Sequence, residues 1–245
     1  GMVKVAYSSG KPAFGVGAGN VQCLIDKDAN IDEVVPKVIK GRIYDNGILC
    51  TCEQNAICPS EKYDELISGL IATGAYYVKE QEEVDALRKA LFPEGKMNVA
   101  CVGASPFDIA KMAGIDIKED TKLLVVKVEK YGTDDYFSKE KMCPVLSAYR
   151  YDTWEQAVNI AHANLEYEGK GHSVTIHSYT KENIEYAAQI LPVSRFAVNQ
   201  IGSSGLGGSF VNGLNPTATL GCGSWGNNSI SENLWFNHLI NISRI

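Results

Sequence analysis

Short runs of β-branched and leucine residues recur along this chain, most of them leading into a stretch of helical periodicity, and this alternation is the strongest limit on its fold. Residues 21–26 read as a buried strand. Asn30 and Glu33 form a capping box, and an amphipathic stretch follows to about Tyr44. Pro36 interrupts that stretch, which predicts a kink or a late helix start. Asn46-Gly47 marks a sharp turn, and residues 55–58 read as a strand closed by Pro59. Ser60 opens a second helix with Tyr63, Leu66, Ile67, Leu70 and Ile71 on one face. Residues 81–91 make a third, and Ser105-Pro106 caps a short one to Met112. Strands are predicted at 123–128, 145–149, 174–177 and 195–198, with helices at 153–163 and 181–191. The rhythm predicts an α/β fold with a mostly parallel sheet covered by helices.

Periodicity stops at Gly202. Eight glycines fall between 202 and 226, which predicts loop-dominated backbone lining a site. The tail 238–242 alternates like a lone strand, and such a strand needs a partner sheet, its own or another subunit's.

Composition narrows the function classes. A net charge of −6 without a basic block argues against nucleic-acid or anionic-membrane partners. No apolar run approaches the ~18 residues of a membrane span. Seven cysteines, an odd count, and a polar start to the chain predict a reduced, cytoplasmic protein without disulfide staples. The spacing Cys50-x-Cys52 and the lack of a histidine pair at ligand spacing predict no metal site.

Chemistry is concentrated in Asp45-Asn46-Gly47-Ile48-Leu49-Cys50-Thr51-Cys52-Glu53-Gln54, a loop between a helix and a strand. Its glycine allows close approach of backbone to a ligand, and its N–H groups can polarise a carbonyl oxygen. A cysteine thiolate there can attack a carbonyl carbon and later leave. The competing reading is that Cys50 and Cys52 are small buried hydrophobes.

That loop resembles the active-cysteine segment of CoA-acylating aldehyde dehydrogenases, as found in bifunctional aldehyde/alcohol dehydrogenases and in the succinate-semialdehyde type. Other runs resemble the family in family order across nearly the whole chain. They are Gly1-Met2-Val3-Lys4, Tyr7-Ser8-Ser9-Gly10-Lys11-Pro12, Gly15-Val16-Gly17-Ala18-Gly19-Asn20-Val21, Glu140-Lys141-Met142-Cys143-Pro144-Val145, Gly171-His172-Ser173, Thr219-Leu220-Gly221-Cys222-Gly223-Ser224-Trp225-Gly226 and Ser231-Glu232-Asn233.

The resemblance implies that Cys50 is the nucleophile, forming a thiohemiacetal and then a thioester. NAD or NADP would take the hydride, and coenzyme A would take the acyl group. Cys52 reads as a bystander or a resolving thiol. Gly15 falls where hydrolytic relatives carry a water-activating glutamate, which favours acyl-CoA over free acid as product. Glu140 matches the glutamate that holds the nicotinamide ribose, and Gly15 and Gly17 would flank the cofactor. His172, read as lying in a glycine-flanked turn, would deprotonate the thiol of Cys50 or of coenzyme A. His162, His177 and His238 read as packing residues.

The family's main dinucleotide-binding segment has no counterpart here, so the resemblance implies a C-terminal catalytic portion. Residues 1–20 would end the cofactor domain, 21–226 form the catalytic domain, and 227–245 be an oligomerisation arm. Partners would be a small aldehyde or acyl-CoA and further copies of the chain. The alternatives are a non-catalytic oligomerisation module, or a phosphate-using relative such as glutamyl-phosphate reductase.

Overall fold

The computed structural model describes residues 2–245; Gly1, which opens the first run quoted above, lies outside them. Seven strands make one sheet: β1 (Val21–Ile25), β2 (Glu53–Pro59), β3 (Ala75–Val78), β4 (Leu123–Lys127), β5 (Val145–Tyr151), β6 (Gly171–His177) and β7 (Val193–Val198). Their order is β3-β4-β5-β2-β1-β6-β7, and every pairing is parallel. The central strands β1, β2 and β6 are buried along their whole length, as a parallel sheet covered on both faces requires.

Two helices cover one face, α2 (Ile31–Ile43) and α3 (Tyr63–Ala72). Val34, Val38, Leu66 and Leu70 pack there on Cys23, Ile25, Ala56 and Leu146. The other face is covered by α4 (Gln81–Leu91), α5 (Pro106–Ala113), α6 (Trp154–Tyr167) and α7 (Lys181–Ile190). Leu87, Ile109, Val158 and Ala187 meet Leu24, Ile57, Val126 and Val174. Alternate residues of each strand thus feed opposite cores, the period-2 signature of a pleated sheet. A short helix, α1 (Met2–Ser8), precedes the sheet and buries no residue fully.

Local chemistry explains most boundaries. The Asn30 side chain accepts from the Asp32 N–H, so α2 starts at once at Ile31 and carries Pro36 inside it rather than starting late. Ser105 caps α5 with Pro106 in its first turn, and Gly114 closes it at φ 73°.

The structure corrects five expectations. The second helix begins at Tyr63, because the Lys62 N–H bonds back to the Pro59 carbonyl in a turn and Ser60 spends its hydroxyl on Asp152. Ile71, expected on its buried face, is 48% exposed. The edge strand β3, four residues between two helices, was too short to announce itself. Strand β6 begins at Gly171, so His172 lies in a strand and not in a turn. The tail forms no strand: Phe236–His238 is a single helical turn and 239–245 carry no regular structure. Among the described residues no strand pairs with that tail, and an unpaired strand leaves its ladder groups unsatisfied.

As expected, 202–226 is mostly irregular, with brief turns at Gly202–Gly205 and Ser224–Gly226. An isolated antiparallel bridge, Leu220 to Asn233, ties it down. Leu206 and Leu220 join Val21 and Ala197 in a small third core.

Candidate active site

The predicted site residues gather at the amino ends of the strands. Cys50 lies three residues before the start of β2, Glu140 precedes β5, and Gly17 precedes β1. At the end of α2, Asp45, Asn46 and Gly47 adopt positive φ in succession and turn the chain back toward the sheet. Gly47 has to be glycine: a Cβ there would lie 2.7 Å from the Cys143 carbonyl. Of the seven cysteines only Cys50 is partly exposed; the other six are buried.

Gly19 backs the Cys50 loop directly. A Cβ on Gly19 would overlap the Cys50 carbonyl oxygen and stand 2.5 Å from the Cys50 Cβ. The Gly19 N–H donates to Glu140 Oε1 at 3.0 Å, so one glycine touches both predicted functional residues. Glu140 Oε2 makes no hydrogen bond among the described residues. Burial pushes the Glu140 carboxyl up to about 7. Burial, then the charges of Glu140 and Cys222, pushes the Cys50 thiol up to about 11, while its own backbone N–H and Arg195 pull it down. Cys50 is therefore mostly a thiol at neutral pH, and its use as a nucleophile needs a proton acceptor.

Two fully buried cations shape the Glu140 segment. Arg42, at the end of α2, donates from Nε to the Val145 carbonyl at 2.9 Å and from Nη2 to the carbonyls of Lys141 and Cys143. Lys141 donates from Nζ to the carbonyls of Phe137 (2.7 Å) and Lys139 (2.9 Å), and burial pushes its ammonium down to about 7. Around them runs a buried amide network. Asn20 donates to the carbonyls of Ser138 and Glu168 and accepts from Asn55, and Asn164 donates to Gln22.

Gly17, Gly15, His172 and Cys52 have surroundings of their own. Gly17 stands against Cys222, where a Cβ would come 3.3 Å from Sγ. Gly15 lies against α1: its N–H donates to the Tyr7 hydroxyl at 2.8 Å, and a Cβ would meet Val3 at 2.6 Å. His172 is fully buried in β6, with both ring nitrogens unpartnered among the described residues and no hydrogen bond to Cys50. Burial, then the Arg195 charge, holds it neutral, down at about 3. Cys52 is buried behind the loop, near the Tyr44 carbonyl. Among the described residues, no group of three His, Cys, Asp or Glu side chains could hold a metal ion.

Gly19, Lys141 and Cys222 stand in the quoted motifs, and Arg42 and Arg195 are two of five arginines from which sequence alone does not pick a substrate partner; their burial and close packing around the Cys50 loop are invisible in one dimension. Gly19→Ala is expected to push the Cys50 loop aside, because a Cβ there overlaps the Cys50 carbonyl oxygen, and to slow alkylation of Cys50 by iodoacetamide a few-fold. Gly213→Ala, where a Cβ meets nothing within 4 Å, serves as the control. Peptide mapping measures both, and an unchanged Gly19→Ala rate would remove Gly19 from the site.

No protein-family model matches the chain. It is 53% identical over 245 residues to the succinate-semialdehyde dehydrogenase (acetylating) of Clostridium kluyveri, covering all of this chain and 54% of that protein. An acetylating aldehyde dehydrogenase from Geobacillus thermoglucosidasius superposes with a TM-score of 0.95 at 39% identity, over 100% of this chain and 54% of that one. A propionaldehyde dehydrogenase from Rhodopseudomonas palustris, solved with bound CoA and an acylated cysteine, matches with a TM-score of 0.78 at 26% identity, over 93% of this chain and 51% of that one. The chain spans about half the length of these relatives.

Proposed function

Since the chain belongs to the CoA-acylating aldehyde dehydrogenases, over about half of their length, we propose that it carries the acyl-transfer part of their reaction, in which an aldehyde, NAD(P)+ and coenzyme A give acyl-CoA and NAD(P)H. The observation that carries this reading is the placement of Cys50. It is the one partly exposed cysteine, on a loop backed by Gly19, beside a carboxylate with an oxygen to spare.

Cys50 sulfur attacks the aldehyde carbon and gives a thiohemiacetal. A nicotinamide dinucleotide, when bound, accepts the hydride that leaves this carbon. Glu140 suits the ribose of such a group, because Oε1 is fixed by the Gly19 N–H and Oε2 can accept from a hydroxyl. The thioester then remains on Cys50 until the coenzyme A thiol attacks it, and the Cys50 thiolate leaves. His172, read from the sequence as the group that takes a thiol proton, is held neutral, down at about 3, and makes no hydrogen bond to Cys50, so in this arrangement it is a weak acceptor for that proton. Gly15 offers no base for water and sits packed on α1, which keeps the thioester for a thiol.

In this reading 1–20 ends a cofactor domain, 21–226 is the catalytic domain and 227–245 an oligomerisation arm. The exposed Leu239, Ile240 and Ile242 support association through that arm, and the chain is read as a cytoplasmic homo-oligomer. No helix among the described residues is long and apolar enough to cross a membrane. The assembly-module and phosphate-using alternatives gain nothing from relatives that are acylating dehydrogenases.

Transfer from acyl-CoA back to the cysteine needs no nicotinamide, so it can be tested on the chain as it stands. Incubation with acetyl-CoA or succinyl-CoA, followed by mass spectrometry and peptide mapping, is expected to show one acyl adduct, on Cys50. An adduct confined to Cys52 would move the nucleophile, and no adduct with either donor would overturn the reading.

A further inference from the structure

Of the five arginines, Arg42 and Arg195 are buried; Arg42 lies against Cys143 and Cys52, and Arg195 is the one that acts on Cys50 and Cys222. It projects from β7 at 2% exposure and bonds only to neutral groups. Nε donates to Ser173 Oγ (3.1 Å), Nη1 to Asn233 Oδ1 (3.4 Å) and Nη2 to the Gly221 carbonyl (2.7 Å). Among the described residues it forms no ion pair. Three of its five N–H groups are spent and two remain. A buried guanidinium without an anion is costly, so an unassigned anionic partner is the physical question it raises.

The surroundings indicate which anion. Gly221 leads directly into Cys222, and Gly17 stands against the Cys222 sulfur. Gly19, two residues on from Gly17, stands against Cys50. Two residues of chain reach at most ~7 Å, so the same short segment lines both cysteines. Gly171 and Gly226 also leave no room for a Cβ beside Cys222, which fixes that loop tightly on the sheet.

We propose that Arg195 is a positioning residue whose charge is the counter-ion of the Cys50 thiolate and whose hydrogen bonds hold the Cys222 loop against the nucleophile. The inference rests on Cys50 being the nucleophile. The groups that act on the Cys50 charge are Glu140, Cys222 and Arg195, with Cys52 behind the loop. Glu140 and Cys222 oppose a thiolate, and Arg195 favours it. The same cation disfavours a second positive charge on His172. In the reverse sense, thiolate charge on Cys222 and Cys50 favours the guanidinium.

The competing anion is a carboxylate at the far end of a dicarboxylic semialdehyde. Arg195→Gln keeps donors and removes charge; Arg195→Lys keeps charge and loses the fork. Iodoacetamide alkylation of Cys50 across neutral to alkaline pH is expected to slow about tenfold at neutral pH in Arg195→Gln, with the profile moved about one unit upward. Arg195→Lys should restore most of the rate, and denaturant unfolding reports whether each variant is folded. A profile unmoved in Arg195→Gln, or equal losses in both variants, would overturn the proposal and leave a purely structural clamp. If Arg195→Gln is unfolded, Arg195→Lys alone decides, since a profile moved upward with the charge retained would contradict the counter-ion role.

Acylation by acetyl-CoA and succinyl-CoA gives the second readout. Equal losses with both donors in Arg195→Gln are expected, and a loss confined to succinyl-CoA would reassign Arg195 to the substrate. A wild-type Cys50 that reacts no faster than the six buried cysteines would instead sink the nucleophile reading itself.

Discussion

Cys50→Ser is expected to abolish acyl transfer from acyl-CoA, a loss of at least ~10⁴-fold, because a nucleophile that forms the covalent bond has no partial substitute. Serine keeps the size and the loop, but its hydroxyl ionises far less readily than a thiol and is a poor leaving group from an acyl intermediate. Cys52→Ser and Cys222→Ser should retain the adduct on Cys50. Cys52 is buried behind the loop against the Tyr44 carbonyl, and Cys222 packs on Gly17, so neither presents sulfur to solvent as Cys50 does. Mass spectrometry of the three variants after exposure to acetyl-CoA decides the matter. An adduct persisting in Cys50→Ser would show that another thiol carries the acyl group.

Arg42→Met is expected to cost about 3–5 kcal/mol of stability, the range for breaking a buried charged interaction. The guanidinium serves three backbone carbonyls, of Lys141, Cys143 and Val145, and methionine would leave them buried and unbonded. For a chain of this size that loss lowers the unfolding temperature by about 10 °C. Arg42→Lys should recover only part of it, since one ammonium cannot span three acceptors along a fork. Urea unfolding of the variants measures the difference. A loss below about 1 kcal/mol would mean that the carbonyls find water or other donors.

The sheet was legible because its strands are apolar runs between capped helices. Asn30 and Ser105 announced α2 and α5, and Val84, Leu87 and Leu91 announced α4. The edge strand β3 escaped because four residues carry too little pattern. The tail misled because apolar alternation is also what an unpaired, exposed segment can show. The candidate nucleophile and Glu140 were legible through motif resemblance. What sequence could not convey was the support beneath them. Arg42 and Lys141 look like ordinary helix-end and loop cations until burial is known, and His172 looked like a turn residue because Gly171 was read as a break rather than as the first residue of β6.

Open parallel sheets ordinarily receive ligands at the carboxyl ends of their strands. Here Cys50, Glu140, Gly17 and Gly19 all sit at the amino ends, one strand length away, about 17–23 Å for five to seven residues. The opposite rim carries ion pairs such as Lys127 with Glu129 and Arg150 with Asp64. Substitutions in those carboxyl-side loops are therefore expected to leave the acylation of Cys50 unchanged. The amino-side rim has no such freedom, because three of its glycines already touch the groups they serve.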